Sequence, residues 1–293
     1  MSILAIKENR LYEQLLTYYF IERFLYRLSI SVFSSQFILK GGVYIYAKLE
    51  NKARSTRDVD FLAQGIKNSQ SEVVRIFSLL CDMDCDDGLY FDKTSITVER
   101  IKASTADEGL RIRLVTYLEK TQNHMQFDIG FGDIIVPMAT MMDYPVLLGM
   151  HHPRIMAYSM ESVIAEKFEA MIFLAEINSR MKDFYDVCVL SQNFDFNGKD
   201  LHEAVSQTFQ VRGTTLPKIP SVFSEAFPQL DNKKIQWKSF QKRIQITEDF
   251  DFKSTIDQVS RFLIPIYKSI QNNRQFSGIW NHNVNEWIYS DSF

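Results

Sequence analysis

The chain has 293 residues, of which 46% are hydrophobic and 24% charged, and its formal net charge is −3. This length allows two domains with separate cores, and the composition is that of a globular protein. The charge excludes a general attraction to nucleic acid, so such binding would need a local basic patch. The three cysteines form no paired C-x-x-C set, which disfavours a thiolate metal site and a disulfide framework.

Three features of the sequence bear on the cellular setting. No apolar run approaches the ~20 residues that a membrane-spanning helix needs. The chain also lacks a basic start followed by an apolar stretch, which is the pattern of a secretory signal. Because the odd number of cysteines favours a reducing compartment, we expect a cytoplasmic protein with no membrane partner.

Hydrophobic spacing predicts the first elements in chain order. Apolar residues at helical spacing predict a helix over residues 7–28. Short apolar runs predict strands over residues 37–39 and 59–62, and a helix is predicted between them over residues 43–50. A further helix is predicted over residues 69–81.

The pattern changes twice further along the chain. Between residues 95 and 135, apolar and polar residues alternate with the period of antiparallel strands. From Ser159 onward, the spacing is almost wholly helical. We therefore expect an α/β (α+β) protein in which a domain with a mixed or antiparallel sheet, residues 1–155, precedes a helical bundle domain, residues 156–293.

A pair of glycines and a pair of aspartates carry the strongest chemical signal. Gly41 and Gly42 end an apolar run and begin a predicted helix, where backbone N–H groups suit a phosphate. Asp58 and Asp60 are one residue apart on a predicted strand, so their side chains point to one face. Because two carboxylates on one face repel each other unless a cation lies between them, this spacing predicts a divalent-metal site beside the phosphate site. The alternative is a solvated strand end.

Two Mg²⁺ ions would need a third carboxylate. Asp128 is the leading candidate because it lies between two apolar residues of a predicted strand, where a charged side chain needs a partner. Asp133 is the rival candidate, although it follows the glycines that end this strand. In two-metal catalysis, one ion activates the attacking hydroxyl and the other clamps the triphosphate.

Four stretches in order resemble one known family. They are LKGG at residues 39–42, R-x-T-x-DVDF at 54–61, IAEKFEA at 164–170 and KDFYDV at 182–187. Together they resemble the AbiEii/AbiGii toxin family within the DNA polymerase β-like nucleotidyltransferases. The resemblance implies an NTP substrate, Mg²⁺, a toxin–antitoxin or phage-defence setting with a cognate antitoxin, and tRNA or protein among the acceptors.

The resemblance also implies roles for individual residues. It implies a phosphate-binding turn at Gly41 and Gly42, metal carboxylates at Asp58 and Asp60, a nucleotide-contacting Lys167 and a functional acid at Asp183, with Asp186 close by. We expect Lys40 and Arg57, which lie within these motifs, to contact the nucleotide as well. The family often has a hydroxyl residue after the second glycine. Here that residue is Val43, so phosphate contact would rest on backbone N–H groups.

The residues of the second half also allow structural roles. Lys167 lies at the edge of a predicted apolar helix stripe, with no acid three or four residues away, and a lysine there can simply cover the stripe with its stem. Asp183 and Asp186 share a helix face. One of them can equally cap a helix or pair with Lys167 or Arg180.

A basic segment lies between residues 232 and 245. Lys234, Lys238 and Lys242 recur every four residues, while Trp237 and Phe240 lie on a different, apolar face. The pattern predicts a helix whose basic ridge suits an RNA backbone. An ordinary solvated helix face has the same pattern.

We interpret the chain as a metal-dependent nucleotidyltransferase that moves an NMP from an NTP to an acceptor hydroxyl. Two other classes stay open. One is a non-catalytic nucleotide- or partner-binding protein with the same fold, because Val43 has no hydroxyl to offer a phosphate. A D-x-D glycosyltransferase also grips a nucleotide through a cation, but the sixteen-residue spacing from Gly42 to Asp58 argues against it.

Overall fold

A computed structural model describes residues 2–8, 10–101, 108–244 and 251–289. The chain divides into two compact units, one comprising Met1–Asp133 with Ala139–Tyr158 and the other Ile134–Met138 with Ser159–Phe293. The predicted division at residue 155 falls inside the strand Arg154–Ala157. Because this strand pairs with the first strand of the sheet, it belongs to the first unit.

The first unit is a mixed α/β unit. Its elements are α1 (Ser2–Glu8), α2 (Tyr12–Ser29), β1 (Phe37–Lys40), α3 (Gly41–Leu49), β2 (Asp58–Ala63), α4 (Gln70–Cys81), β3 (Leu89–Ile101), β4 (Gly109–Leu118), β5 (Thr121–Gly130), β6 (Thr140–Asp143) and β7 (Arg154–Ala157). The prediction of one continuous helix over residues 7–28 is wrong, because Leu11 has an extended backbone (φ −66°, ψ 132°) that separates α1 from α2.

The described strands of this unit form one seven-stranded sheet in the order β3-β4-β5-β2-β1-β7-β6. The β2–β5 and β1–β7 pairs are parallel and the other pairs are antiparallel, so the sheet is mixed, as predicted. The alternation along β4 has its expected cause, because Leu110, Ile112 and Leu114 are fully buried while Arg111 and Arg113 between them are not.

The strand register aligns charged residues across four strands. Lys40 pairs with Asp60 across β1 and β2, Asp60 pairs with Asp128 across β2 and β5, and Asp128 pairs with Arg111 across β5 and β4. Because residues in register on neighbouring strands share a face, these four side chains form one row across the sheet. We call Lys40, Asp60, Asp128 and Arg111 the charged row.

The second unit is mainly helical. Its elements are α5 (Met160–Leu174), α6 (Met181–Asn193), β8 (Phe196–Asn197), α7 (Gly198–Arg212), α8 (Asp231–Ile244), α9 (Phe252–Gln271), β9 (Ile279–Asn281) and β10 (Glu286–Ile288). The predicted helical character is therefore right for most of this unit. The unit also contains a small sheet in the order β10-β9-β8.

Two tryptophans hold the end of the described chain against the helices. Trp280 is fully buried and its Nε1 donates to the Ser191 carbonyl at 2.6 Å. The Trp287 ring stacks on Phe262 of α9, with 5.6 Å between ring centroids. Within the described ranges, no helix combines the length and apolarity that crossing a membrane requires.

Candidate active site

The start of α3 lies directly against the second aspartate of the D-x-D pair. Gly41 has a left-handed backbone (φ +67°), and an ideal Cβ built on it would overlap Asp60 Oδ2. Only glycine therefore fits this position without displacing Asp60, for both conformational and steric reasons. The antiparallel register of Lys40 with Asp60 produces this approach. As a result, the predicted phosphate turn and a predicted metal ligand are in contact.

Two more polar side chains approach Gly42. An ideal Cβ on Gly42 would lie 2.8 Å from Thr56 Oγ1 and 3.4 Å from Arg54 Nη2. The sequence prediction favoured Arg57, whose side chain is exposed. Thr56 and Arg54 belong to the R-x-T-x-D motif, but only the folded loop shows that they reach Gly42.

Val43 does not face this group of polar side chains, because its side chain is fully buried. The position contributes to the core and supplies no hydroxyl to a phosphate. Contact with a phosphate at the start of α3 would therefore come from backbone N–H groups, with the Thr56 hydroxyl and the Arg54 guanidinium nearby.

The D-x-D pair has the geometry that its spacing predicts. Asp58 and Asp60 are separated by Val59, which is buried. Asp58 is exposed and Asp60 half-buried, so both lie on the opposite face from Val59 and within reach of solvent. Two accessible carboxylates on one face suit a hard divalent cation.

Both candidates for the third carboxylate are bonded to cations. Arg111 donates to Asp128 with both arms of its guanidinium, from Nε to Oδ1 at 2.8 Å and from Nη2 to Oδ2 at 2.7 Å. Lys40 Nζ donates to Asp133 Oδ2 at 2.9 Å. The described residues contain no group of three or more His, Cys, Asp or Glu placed to hold a metal ion. Asp58 and Asp60 fit a cation, whereas Asp128 as a third ligand stays a prediction.

Lys167 lies in a buried ion cluster of the second unit. Its Nζ donates to Asp183 at 2.9 Å and to Asp186 at 2.8 Å, and Arg180 Nε donates to Asp183 at 2.6 Å. Burial opposes the charge on Asp183, but Lys167 and Arg180 outweigh burial and lower its pKa from 3.8 to about 2. The ion pair that the sequence left open is thus present, while a nucleotide contact of Lys167 and a catalytic role of Asp183 stay predictions.

The family is decided by comparison with known proteins. Residues 23–259 match the model of a family described as nucleotidyl transferase AbiEii toxin, type IV toxin–antitoxin system. The chain belongs to the AbiEii family. As an AbiEii protein it is a nucleotidyltransferase, in agreement with the enzyme class interpreted from its motifs.

Solved structures share the fold of this AbiEii protein. JHP933 from Helicobacter pylori aligns with a TM-score of 0.53 and 16% identity, covering 90% of this chain and 95% of its own. MenT4, a nucleotidyltransferase toxin from Mycobacterium tuberculosis H37Rv, aligns with a TM-score of 0.53 and 18% identity, covering 94% of this chain and 99% of its own. No curated protein matches the sequence.

Replacing Gly41 with alanine tests the contact with Asp60. Gly65 offers a matched control, because it also has a left-handed backbone (φ +71°) but nothing lies within 4 Å of its ideal Cβ. Gly65→Ala should cost about 1 kcal/mol of unfolding free energy through strain alone. Gly41→Ala should cost at least ~2 kcal/mol more, because Asp60 must also move. Urea denaturation measures both, and equal losses would contradict the tight contact.

Replacing Lys167 with methionine tests the buried ion cluster. The change leaves Asp183 and Asp186 without their shared cation, so Lys167→Met should lower the free energy of unfolding by about 3–5 kcal/mol at pH 7. The exposed neighbour Lys182, changed to methionine, should cost under ~1 kcal/mol.

The pH dependence of this loss follows from Asp183. Its pKa is depressed in the folded state, so the stability it contributes is present above about pH 4 and is lost as pH falls towards 2. The difference between wild type and Lys167→Met should therefore shrink over that range in urea titrations. A loss that is independent of pH would show that packing, and not charge, dominates the effect.

Proposed function

We propose that the chain transfers an NMP from an NTP to an acceptor hydroxyl with the help of Mg²⁺. The contact between Gly41 and Asp60 carries this proposal, because it brings a phosphate-binding helix start and a D-x-D carboxylate together. Family membership supports the same class of reaction. The proposal adds to the family assignment the metal, the direction of transfer and the residues that act.

The residues at the start of α3 would bind the triphosphate. The backbone N–H groups of Gly41 and Gly42 point from a helix N-terminus, where an anion is favoured. Arg54 and Thr56 lie beside Gly42 and would complete the phosphate contacts. With the nucleotide so held, the acceptor oxygen would attack the α-phosphorus in line, the bond to pyrophosphate would break, and the hydroxyl proton would pass to solvent water.

Asp58 and Asp60 would hold the divalent cation. A bound ion there would neutralise charge on the triphosphate and would lower the pKa of the attacking hydroxyl. The carboxylates are placed on one face of β2 and reach solvent, so an ion held by them would keep positions open for water or substrate oxygens. Asp60 is also in contact with Gly41, which would bring the cation and the phosphates into one site.

We propose a toxin–antitoxin setting for this activity. The matching family is described as a toxin of type IV toxin–antitoxin systems, and MenT4, with the same fold, is a nucleotidyltransferase toxin. By extension, the natural acceptor would be a molecule whose modification stops growth, such as a tRNA or a protein. A cognate antitoxin would be the natural partner.

The basic ridge of α8 favours RNA as the acceptor. Lys234, Lys238 and Lys242 are exposed at successive turns, while Trp237 and Phe240 anchor the opposite face in the core. Lys233 has a different role, because it is buried and its Nζ donates to the Asn178 carbonyl. The ridge thus leaves three accessible cations spaced along one helix face, which suits a phosphate backbone.

A non-catalytic nucleotide-binding protein is the second candidate function. It is favoured by the ion pairs of Asp128 with Arg111 and of Asp133 with Lys40, which occupy both candidate third carboxylates. Such a protein would bind NTP at the glycine turn but would transfer nothing.

Calorimetric titration of each NTP with Mg²⁺ tests the proposed site. Wild type should bind at least one NTP only when Mg²⁺ is present, and Asp58→Asn/Asp60→Asn should weaken that binding at least about tenfold. Transfer of label from the bound NTP to tRNA or protein should then separate the enzyme from a binding protein. Metal-independent NTP binding that is unchanged in the double variant would contradict the assignment of Asp58 and Asp60.

Substituting the ridge tests the RNA acceptor. Changing Lys234, Lys238 and Lys242 to glutamine should weaken tRNA binding and reduce the slope of log K against log salt by about 2, since each lost phosphate contact removes ~0.7. NTP binding should not change. The matched control changes three exposed lysines elsewhere in the second unit, Lys199, Lys218 and Lys268. Equal effects of both triple variants would show only a general charge effect.

A further inference from the structure

Arg111 stands at the end of the charged row, next to Asp128, the leading candidate for the third metal ligand. Its side chain lies on β4, two strands away from the D-x-D pair, and is in register with Asp128. Both carboxylate oxygens of Asp128 accept its hydrogen bonds at 2.8 and 2.7 Å. While this pair is closed, Asp128 has a bidentate cation already and is not presented to a metal.

The charge of Arg111 also acts beyond Asp128. Asp128, which accepts its hydrogen bonds, is itself in register with Asp60 on β2. Arg111 therefore lies within the electrostatic field of the D-x-D strand. In the absence of a bound cation, its guanidinium offsets the mutual repulsion of carboxylates that share one face of the sheet.

The ion pair is accessible enough to exchange. The side chains of Arg111 and Asp128 are 30% and 20% exposed, so solvent reaches both groups. A competing cation can therefore approach Asp128, and a competing anion can approach Arg111, without either group first leaving a dry core. A guanidinium is also well suited to a phosphate, because its planar donors bind phosphate oxygens in the same bidentate manner as carboxylate oxygens.

We propose that Arg111 is an exchangeable counter-ion of this site, which holds Asp128 in the nucleotide-free protein and releases it to the metal when a metal–nucleotide complex binds. On release, the guanidinium pairs with the negatively charged triphosphate. This inference rests on the proposed function, because it needs a metal–nucleotide complex at Asp58 and Asp60. No covalent bond changes in the exchange, since Asp128 trades one cation for another and Arg111 trades one anion for another.

A double-mutant cycle on Mn²⁺ binding tests the exchange, with Mn²⁺ as an oxygen-ligated substitute for Mg²⁺. Electron paramagnetic resonance measures the free ion in each titration. Without nucleotide, Asp128→Asn should leave Mn²⁺ affinity unchanged, because Arg111 already occupies the carboxylate. Arg111→Gln should raise Mn²⁺ affinity roughly tenfold by removing the competing charge. Adding Asp128→Asn to Arg111→Gln should abolish most of that gain.

A second titration uses a non-hydrolysable NTP together with Mn²⁺. Asp128→Asn should now weaken Mn²⁺ binding at least about tenfold, because the released carboxylate has become a ligand. Arg111→Gln should weaken binding of the NTP by roughly tenfold, because the guanidinium contact with the triphosphate is lost. The Asp128→Asn comparison with and without nucleotide keeps the test decisive if Arg111→Gln does not fold.

Arg113→Gln is the matched control. Arg113 lies two residues away on the same face of β4 and donates to Glu99 at 2.8 Å, away from the D-x-D strand. Its removal deletes the same charge from the same strand, so any Mn²⁺ effect equal to that of Arg111→Gln would overturn the specific exchange. An unchanged Mn²⁺ affinity in Arg111→Gln would overturn it as well.

The test also separates this inference from the proposed function. Mn²⁺-dependent NTP binding that requires Asp58 but shows no coupling between Arg111 and Asp128 would reject the exchange alone. An Asp128→Asn effect of equal size with and without nucleotide would do the same. If wild type binds neither Mn²⁺ nor Mn²⁺ with NTP, both the function and the exchange are wrong.

Discussion

The approach of Asp60 to Gly41 is the constraint on which the candidate site depends. The antiparallel register of β1 with β2 sets Lys40 opposite Asp60, and the next residue, Gly41, turns the chain into α3 with a left-handed backbone. A side chain at that turn would collide with the Asp60 carboxylate, so glycine is what allows a helix start and a carboxylate to lie together. Groups that favour an anion and groups that favour a cation thus meet in one place, as a metal–triphosphate complex requires.

The same sheet register determines how the charges balance. Lys40, Asp60, Asp128 and Arg111 follow one another in register across four strands, with a cation at each end of the row. Each of these cations is paired with a carboxylate: Lys40 donates to Asp133, and Arg111 donates to Asp128. Carboxylates that would otherwise repel one another therefore have counter-ions within the protein. Binding of a metal–nucleotide complex would then rearrange existing ion pairs and need not bury a new uncompensated charge.

Much of this arrangement follows from local sequence patterns, and the rest depends on strand register. The common face of Asp58 and Asp60 follows from alternation along β2, and the glycine turn follows from the end of β1, so both are predictable from a few neighbouring residues. Arg111 as partner of Asp128 is not, because the pairing depends on the alignment of β4 with β5. The pairing of Lys40 with Asp133 is not predictable either, because the two residues are 93 positions apart in sequence.

The helices show the same limit. The sequence offers the ion pair of Lys167 only as one of several structural alternatives, since ion-pair geometry depends on how α5 packs on α6. The helical pattern does not predict the break between α1 and α2, because Leu11 is apolar and fits the helical period. Its backbone is nevertheless extended.

A crystal structure with Mn²⁺ and a non-hydrolysable NTP would show whether the D-x-D pair binds the metal, because anomalous scattering locates the metal independently of the phosphates. We expect a Mn²⁺ peak between Asp58 and Asp60, with the phosphates on the backbone N–H groups of Gly41 and Gly42. A peak elsewhere, or a triphosphate bound away from the start of α3, would contradict the assignment of this site.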